Sequence, residues 1–189
     1  MSISIGHVET AYAGWGQYLI ATVRLADGAI VRREIEHHGA AACVLPYDPA
    51  RKTAILVRQF RAPVFYIAGA AETLEAIAGI IETESPVECA RREALEEAGV
   101  RLQTLEPVGA LFTMPGISTE RMHLFLAVYG TADRIGEGGG LIEEHEGTRP
   151  VETTLLELSA MADAGTLADL KTLALLQTLR TRRPDLFAG

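Results

Sequence analysis

Between Glu84 and Gly99 the chain reads E-x7-R-E-x2-E-E-x-G, and this spacing constrains the fold more than any other feature. Glu93, Glu96 and Glu97 lie at i, i+3 and i+4, so a helix places all three carboxylates on one face. Like charges at that spacing cost roughly a few tenths of a kcal/mol per pair. The cost is met in one of two ways. Either the face is a solvated acidic stripe, or a divalent cation removes the repulsion, since Mg2+ takes oxygen ligands from a few carboxylates together with substrate phosphates. The flanks give the helix definite ends. Ser85 is a candidate N-cap, Pro86 suits the first helical position, and Glu88 completes a capping-box spacing. Ala90, Ala94, Leu95 and Ala98 supply packing positions, and Gly99 is a stop signal. Upstream, Ala78-Gly79 is expected to bend the chain after an apolar run, which would set the carboxylates beside a glycine turn.

A chain of 189 residues is long enough for one domain with a substantial core and short for two of full size. Its 48% apolar and 22% charged content is that of an ordinary globular protein. No apolar run approaches the roughly 18 residues of a membrane span, so no membrane partner is expected. The opening MSISIGHVET lacks the basic and apolar regions of a secretory signal. Cys43 and Cys89, far apart in sequence, are read as reduced thiols of a cytoplasmic protein. The histidines show no metal-ligand spacing, and His37-His38 reads as a strand end. A net charge of −8 argues against a broad nucleic-acid-binding surface. It leaves open a phosphorylated small molecule, because local arginines and a bound cation invert the local field.

The first forty residues read as two strands, Gly16 to Leu25 and Ala29 to Ile35, around the hairpin signal Asp27-Gly28. The runs AAACVLPYD and TAILVRQFR follow as central strands. A short loop and the run TLEAIAGII lead into the acidic helix. LEPVGALF and RMHLFLAVYG read as further strands joined by TMPGISTE, and VETTLLEL as a late strand. Two helices close the chain, Ser159 to Ala164 and Leu167 to about Arg180, separated by Gly165. The segment Thr131 to Pro150 is rich in glycine and glutamate. Twenty structureless residues are uncommon inside a compact domain, so it is either a floppy surface loop or a lid carrying a catalytic acid.

The acidic segment resembles the Nudix hydrolase signature G-x5-E-x7-R-E-U-x-E-E-x-G-U, where U is aliphatic. Glu84, Arg92, Glu93, Glu96, Glu97, Gly99 and Val100 match it, and Ala94 is a small residue at the first aliphatic position. Gly79 departs from it, lying five residues before Glu84 where the family has six. Beyond the signature, Arg58-Gln-Phe-Arg61, L-E-x-x-A-G at Leu74 to Gly79 and Met114-Pro115-Gly116 are similar to the branch that cleaves nucleoside diphosphate sugars. The shortened glycine loop, Gly138 to Gly140 and D-L-K-T-L-A-L-L resemble the GDP-mannose pyrophosphatases, with ADP-ribose pyrophosphatases as close relatives.

The resemblance implies an α+β fold: an α/β/α sandwich around a mixed sheet, residues 39–189, preceded by a small antiparallel element, residues 1–38, swapped between subunits of a homodimer. It implies Mg2+ or Mn2+ held by Glu93, Glu96, Glu97 and the Ala78 carbonyl, with Arg92 orienting Glu84 and the helix. Arg58, Arg61, Glu75, Met114 and Gly116 are the implied substrate contacts. The general base is expected in the late loop, Glu144 in preference to Glu143 or Glu146, with Glu93 as the candidate on the helix. The expected reaction is hydrolysis of a nucleoside diphosphate sugar, GDP-mannose first and ADP-ribose as the alternative. A non-catalytic ligand sensor of the same fold is the alternative of another class.

Overall fold

The computed structural model describes residues 2–140 and 147–188. The chain divides into two compact units, Met1–Ala40 with Leu111–Met122, and Ala41–Ala110 with His123–Gly189. In the first unit, β1 (Ser4–Ala13), β2 (Gln17–Arg24) and β3 (Ile30–His37) form an antiparallel sheet in that order. β2 and β3 are the strands of the expected hairpin. β1 is an addition to it. Every residue of β1 is exposed, so its sequence carries no burial pattern of the kind that announces a strand.

The second unit is built on a seven-stranded mixed sheet with path β10-β5-β4-β9-β8. Its strands are β4 (Ala41–Asp48), β5 (Thr53–Gln59), β6 (Thr73–Glu75), β7 (Ile77–Ile80), β8 (Leu105–Phe112), β9 (Arg121–Val128) and β10 (Arg149–Thr154). β6 pairs with β5 and β7 with β4. All eight residues of β4 are buried, as a central strand covered on both faces requires. Ala42, Val44, Ile55 and Val57 share one core with Cys89, Ala90, Ala94 and Ala98 of α2 (Pro86–Ala98). Side chains alternate along a strand, so Cys43, Leu45 and Leu56 point to the opposite face. There α4 (Leu170–Arg182) packs on β4, with Leu175, Leu176 and Leu179 fully buried. The outcome is the expected sandwich.

Three elements differ from the sequence reading. Residues Ala62–Ala68 form a short helix, α1, opened by a proline in its first turn and closed by Gly69, where a loop was expected. VETTLLEL splits after Thr154. The Thr154 side chain accepts from the Glu157 N–H at 3.1 Å, and Glu157 accepts from the Thr154 N–H at 3.0 Å. This capping box ends β10 and starts α3 (Leu155–Asp163), a local signal that the apolar run concealed. Ala78-Gly79 is no turn. Both residues lie in β7, opposite Cys43 and Ala42.

Candidate active site

α2 takes its place because its caps and its small face agree. The Ser85 hydroxyl accepts from the Glu88 N–H at 3.3 Å, and the Glu88 carboxylate accepts from the Ser85 N–H at 3.0 Å. Cysteine and alanine along the inner face let the helix approach β4, β5 and β7 closely. Glu93 and Glu97, one turn apart, lie in that same inner stripe and are only 7% and 2% exposed. Glu96 stays more open to solvent.

Gly79 explains how a carboxylate fits there. A Cβ on Gly79 would stand 1.7 Å from Glu93 Oε1 and 2.1 Å from Glu93 Cδ, so the carboxyl group occupies the space a side chain would need. The glycine serves close approach rather than a turn, and it brings Glu93 against the main chain at Gly79. Arg92 closes the other side. Its guanidinium reaches Glu84 at 2.9 Å, Glu93 at 2.7 Å and Glu96 at 2.9 Å, and donates to the Ile80 carbonyl at 3.4 Å. Burial opposes the Arg92 charge, but the three carboxylates outweigh it and push its pKa up. The Arg92 hydrogen bond in turn holds Glu84 below the usual carboxylate range. Burial and the Glu93 charge push the Cys89 thiol up to about 12, which keeps it inert.

Among the described residues no group of three or more acidic, histidine or cysteine side chains stands as a ready-made metal cage. The donor set nevertheless fits a hard cation. It consists only of oxygens, and Glu93 is seated on main chain in a pocket that the missing Gly79 Cβ leaves open.

A second polar cluster lies in the same unit. β5 ends at Gln59, and Arg61, just beyond it, turns its guanidinium onto Glu75 through two hydrogen bonds of 3.0 and 2.9 Å. Glu75 is buried on β6 and also accepts from Lys171 Nζ at 2.5 Å and from the Thr73 hydroxyl. Lys171 reaches Asp169 at 2.9 Å, and Asp169 caps α4 by accepting from the Thr172 N–H at 3.0 Å. Burial opposes the Lys171 charge, but Asp169 and Glu75 outweigh it and push its pKa up. Arg58 sits on β5 opposite Leu74 and Arg149. Lys171 and Asp169 escaped the residue-by-residue reading because their partner, Glu75, lies some 96 positions away from Lys171 in sequence. Only the run D-L-K-T marked the place.

Met114 and Gly116 belong to the first unit. Gly116 lines a groove of about 550 Å³ with Ile20, Arg32, Arg33, Glu34 and Ile117, and the sequence did not single out the two arginines. In the same unit His38 is held by Glu36 at Nδ1 and by Glu120 at Nε2, the latter at 3.2 Å, and stacks on Trp15 at 5.0 Å. The strand end therefore carries a charge cluster. Glu143, Glu144 and Glu146 lie outside the described residues.

The sequence profile of the NUDIX domain matches residues 36–171, most of the chain. The chain belongs to the Nudix family. Among its relatives, a GDP-mannose pyrophosphatase from Cronobacter sakazakii is 42% identical over 122 residues, 62% of this chain and 63% of that protein. The match thus spans less than two thirds of that relative's length. A GDP-mannose pyrophosphatase from Pectobacterium atrosepticum is 40% identical over 145 residues, 75% of this chain and 74% of that protein. The Nudix fold is matched as a whole by the crystal structure of an ADP compounds hydrolase, with a TM-score of 0.77 and 20% identity over 98% of this chain and 96% of that one.

Proposed function

We infer that the protein is a Mg2+-dependent Nudix pyrophosphohydrolase that cleaves nucleoside diphosphate sugars, GDP-mannose first, into a nucleoside monophosphate and a sugar 1-phosphate. One observation carries the reading: the Glu93 carboxylate seated against Gly79 in the buried stripe of α2, with Glu97 one turn on and Arg92 tying Glu84, Glu93 and Glu96 together. A fold-only sensor has no use for this many buried and half-buried carboxylates, each of which costs desolvation. The names of the Cronobacter and Pectobacterium relatives favour GDP-mannose. The ADP compounds hydrolase favours the second reading, an ADP-sugar substrate.

Glu93, Glu96 and Glu97, with the Ala78 carbonyl as a further ligand, would hold the divalent cation, Mg2+ or Mn2+. When bound, it supplies charge neutralisation at the diphosphate and Lewis acidity. Arg92 orients the carboxylates. Arg61 and Arg58 supply guanidinium groups suited to phosphate oxygens, and Glu75 fixes the Arg61 fork. Met114 and Gly116 are further proposed substrate contacts, and Gly116 lines the groove that carries Arg32 and Arg33. Glu144 is the proposed general base, with Glu93 the candidate on α2. It follows by four positions Gly140, whose N–H donates to the Glu96 carbonyl at 3.1 Å.

The active form would be a homodimer in which residues 1–38 pair with the partner and residues 39–189 carry the hydrolase domain. Among the described residues β1 is the edge strand of its sheet, and the exposure of Ile3, Ile5, Val8 and Tyr12 there supports this. Two free buried cysteines agree with a cytoplasmic site of action. No helix among the described residues is long and apolar enough to cross a membrane.

A panel of nucleotide sugars with Mg2+, read by product identity, tests the function. GMP and mannose 1-phosphate should form, chelation should abolish turnover, and Glu97→Gln should be folded and inactive. Full turnover in chelator, or no hydrolysis of any nucleotide sugar, would overturn the reading.

A further inference from the structure

α2 ends in an unusual way, and the ending involves the residues whose side chains matter most. The last carbonyls of a helix lack partners inside it. At the end of α2 the Leu95 carbonyl accepts from the Gly99 N–H at 3.0 Å, a local closure. The carbonyls of Glu96 and Glu97 are satisfied from far along the chain, by the Gly140 N–H at 3.1 Å and the Gly139 N–H at 2.9 Å. The same strap binds the cap residue, since the Gly99 carbonyl accepts from the Ile135 and Gly136 N–H groups at 2.8 and 3.2 Å.

The strap can lie there only as glycine. Gly138, Gly139 and Gly140 have φ of 72°, 115° and 73°, a run of left-handed backbone that side chains resist. A Cβ on Gly138 would stand 2.4 Å from the Glu97 carbonyl oxygen and 2.7 Å from Ala98 Cα. Both are main-chain atoms and cannot rotate away. Relief to the 3.4 Å of ordinary contact moves the helix end or the strap by about 1 Å. Glu97 is 2% exposed, so its carboxyl must follow any shift of its own main chain.

We propose that Gly138–Gly140 is a main-chain cap for the catalytic helix and the positioning element for the Glu96 and Glu97 carboxylates. The proposal rests on the reading of α2 as the metal-binding helix. The strap acts by fixing where the main chain of the two proposed metal ligands lies, through the carbonyls of Glu96 and Glu97.

Gly138→Ala in the full-length protein is the test, with Gly139→Ala beside it, because a Cβ at Gly139 meets only the Thr148 carbonyl oxygen, at 3.7 Å. If Gly138→Ala does not fold, Gly139→Ala decides. Gly165→Ala, between α3 and α4, is the control: φ is +70° and nothing lies within 4 Å of its Cβ, so it has the same backbone penalty without the strap. Misplacement by about 1 Å at a reacting centre costs about 10²-fold in rate, and loss of a supporting contact costs roughly 10–100-fold in metal affinity. Gly138→Ala should therefore weaken Mn2+ binding, measured on folded protein by calorimetry, by roughly 10–100-fold. It should lower kcat for GDP-mannose by about 10²-fold with little change in KM. Amide hydrogen exchange in the peptide containing Leu95–Val100 should accelerate, and Gly165→Ala should leave all of these at native values. A folded strap variant with native Mn2+ affinity and native protection at Leu95–Val100 overturns the proposal. If the native protein binds no Mn2+ and hydrolyses no nucleotide sugar, the functional reading fails. The exchange measurement then decides on the strap by itself: unchanged protection refutes the cap and accelerated exchange upholds it.

Discussion

Glu75→Gln removes one charge from the Arg61–Glu75–Lys171 cluster, and its cost follows from the geometry. Glu75 is 3% exposed and accepts two hydrogen bonds from Arg61 and one from Lys171. Burial alone would raise its pKa. The Arg61 hydrogen bonds and the Lys171 charge outweigh burial and bring it from 4.5 down to about 2. A difference of about 2.5 pH units corresponds to about 3 kcal/mol of folding stability. Removing one partner from a buried ion pair generally costs about 3–5 kcal/mol. The lower figure applies here, because Lys171 keeps Asp169 at 2.9 Å and the Arg61 side chain, 44% exposed, retains water. In a chain of this size each kcal/mol moves Tm by about 2–4 °C, so the variant should melt about 6–12 °C below the native protein at neutral pH. The pH dependence has a definite sign. A carboxyl whose folded pKa is depressed stabilises the fold above its unfolded pKa and ceases to do so as pH falls through the folded value. The gap in Tm should be full above 4.5 and shrink as pH approaches about 2. Calorimetric melts of both proteins at pH values from neutral to about 3 measure it. A gap under about 2 °C at neutral pH, or one that keeps its size into acid, refutes the reasoning.

Arg92→Ala should weaken Mn2+ binding by misplacing Glu84, Glu93 and Glu96, and unchanged affinity by calorimetry would contradict its orienting role. Glu144→Gln should lower kcat by about 10²–10⁴ with a far smaller change in KM. If Glu146→Gln alone does so the base is that residue, and if Glu143→Gln, Glu144→Gln and Glu146→Gln are all active, Glu93 takes the role. Burial alone would pull the His38 pKa down, but hydrogen bonds to Glu36 and Glu120 outweigh it, with His37 and Trp15 nearby, and raise it above 6.5. Its stabilisation of the strand end is therefore present at low pH and lost as pH rises through the raised value; an NMR titration of His38 with a midpoint at or below 6.5 would rule this out.

Much of the candidate site's framework was legible in the sequence because its signals are local. The limits of α2 follow from Ser85, Pro86, Glu88 and Gly99, each acting on main-chain groups within one turn, and the common face of Glu93, Glu96 and Glu97 follows from helical spacing. β4, β5, β8 and β9 announced themselves by apolar runs. The capping box at Thr154 was equally local and went unread, because hydrophobic runs do not distinguish a strand from the helix that follows it. Tertiary structure decided the rest. That Gly79 makes room for a carboxylate rather than a turn depends on how closely a helix packs on a strand. That Lys171 meets Glu75, that Glu36 and Glu120 enclose His38, and that Gly139 and Gly140 cap Glu97 and Glu96 depend on contacts between residues tens of positions apart. A sequence specifies its own caps and faces through neighbours on one turn. The partner of a buried charge is chosen only when packing brings distant segments together and removes the water that would otherwise have served.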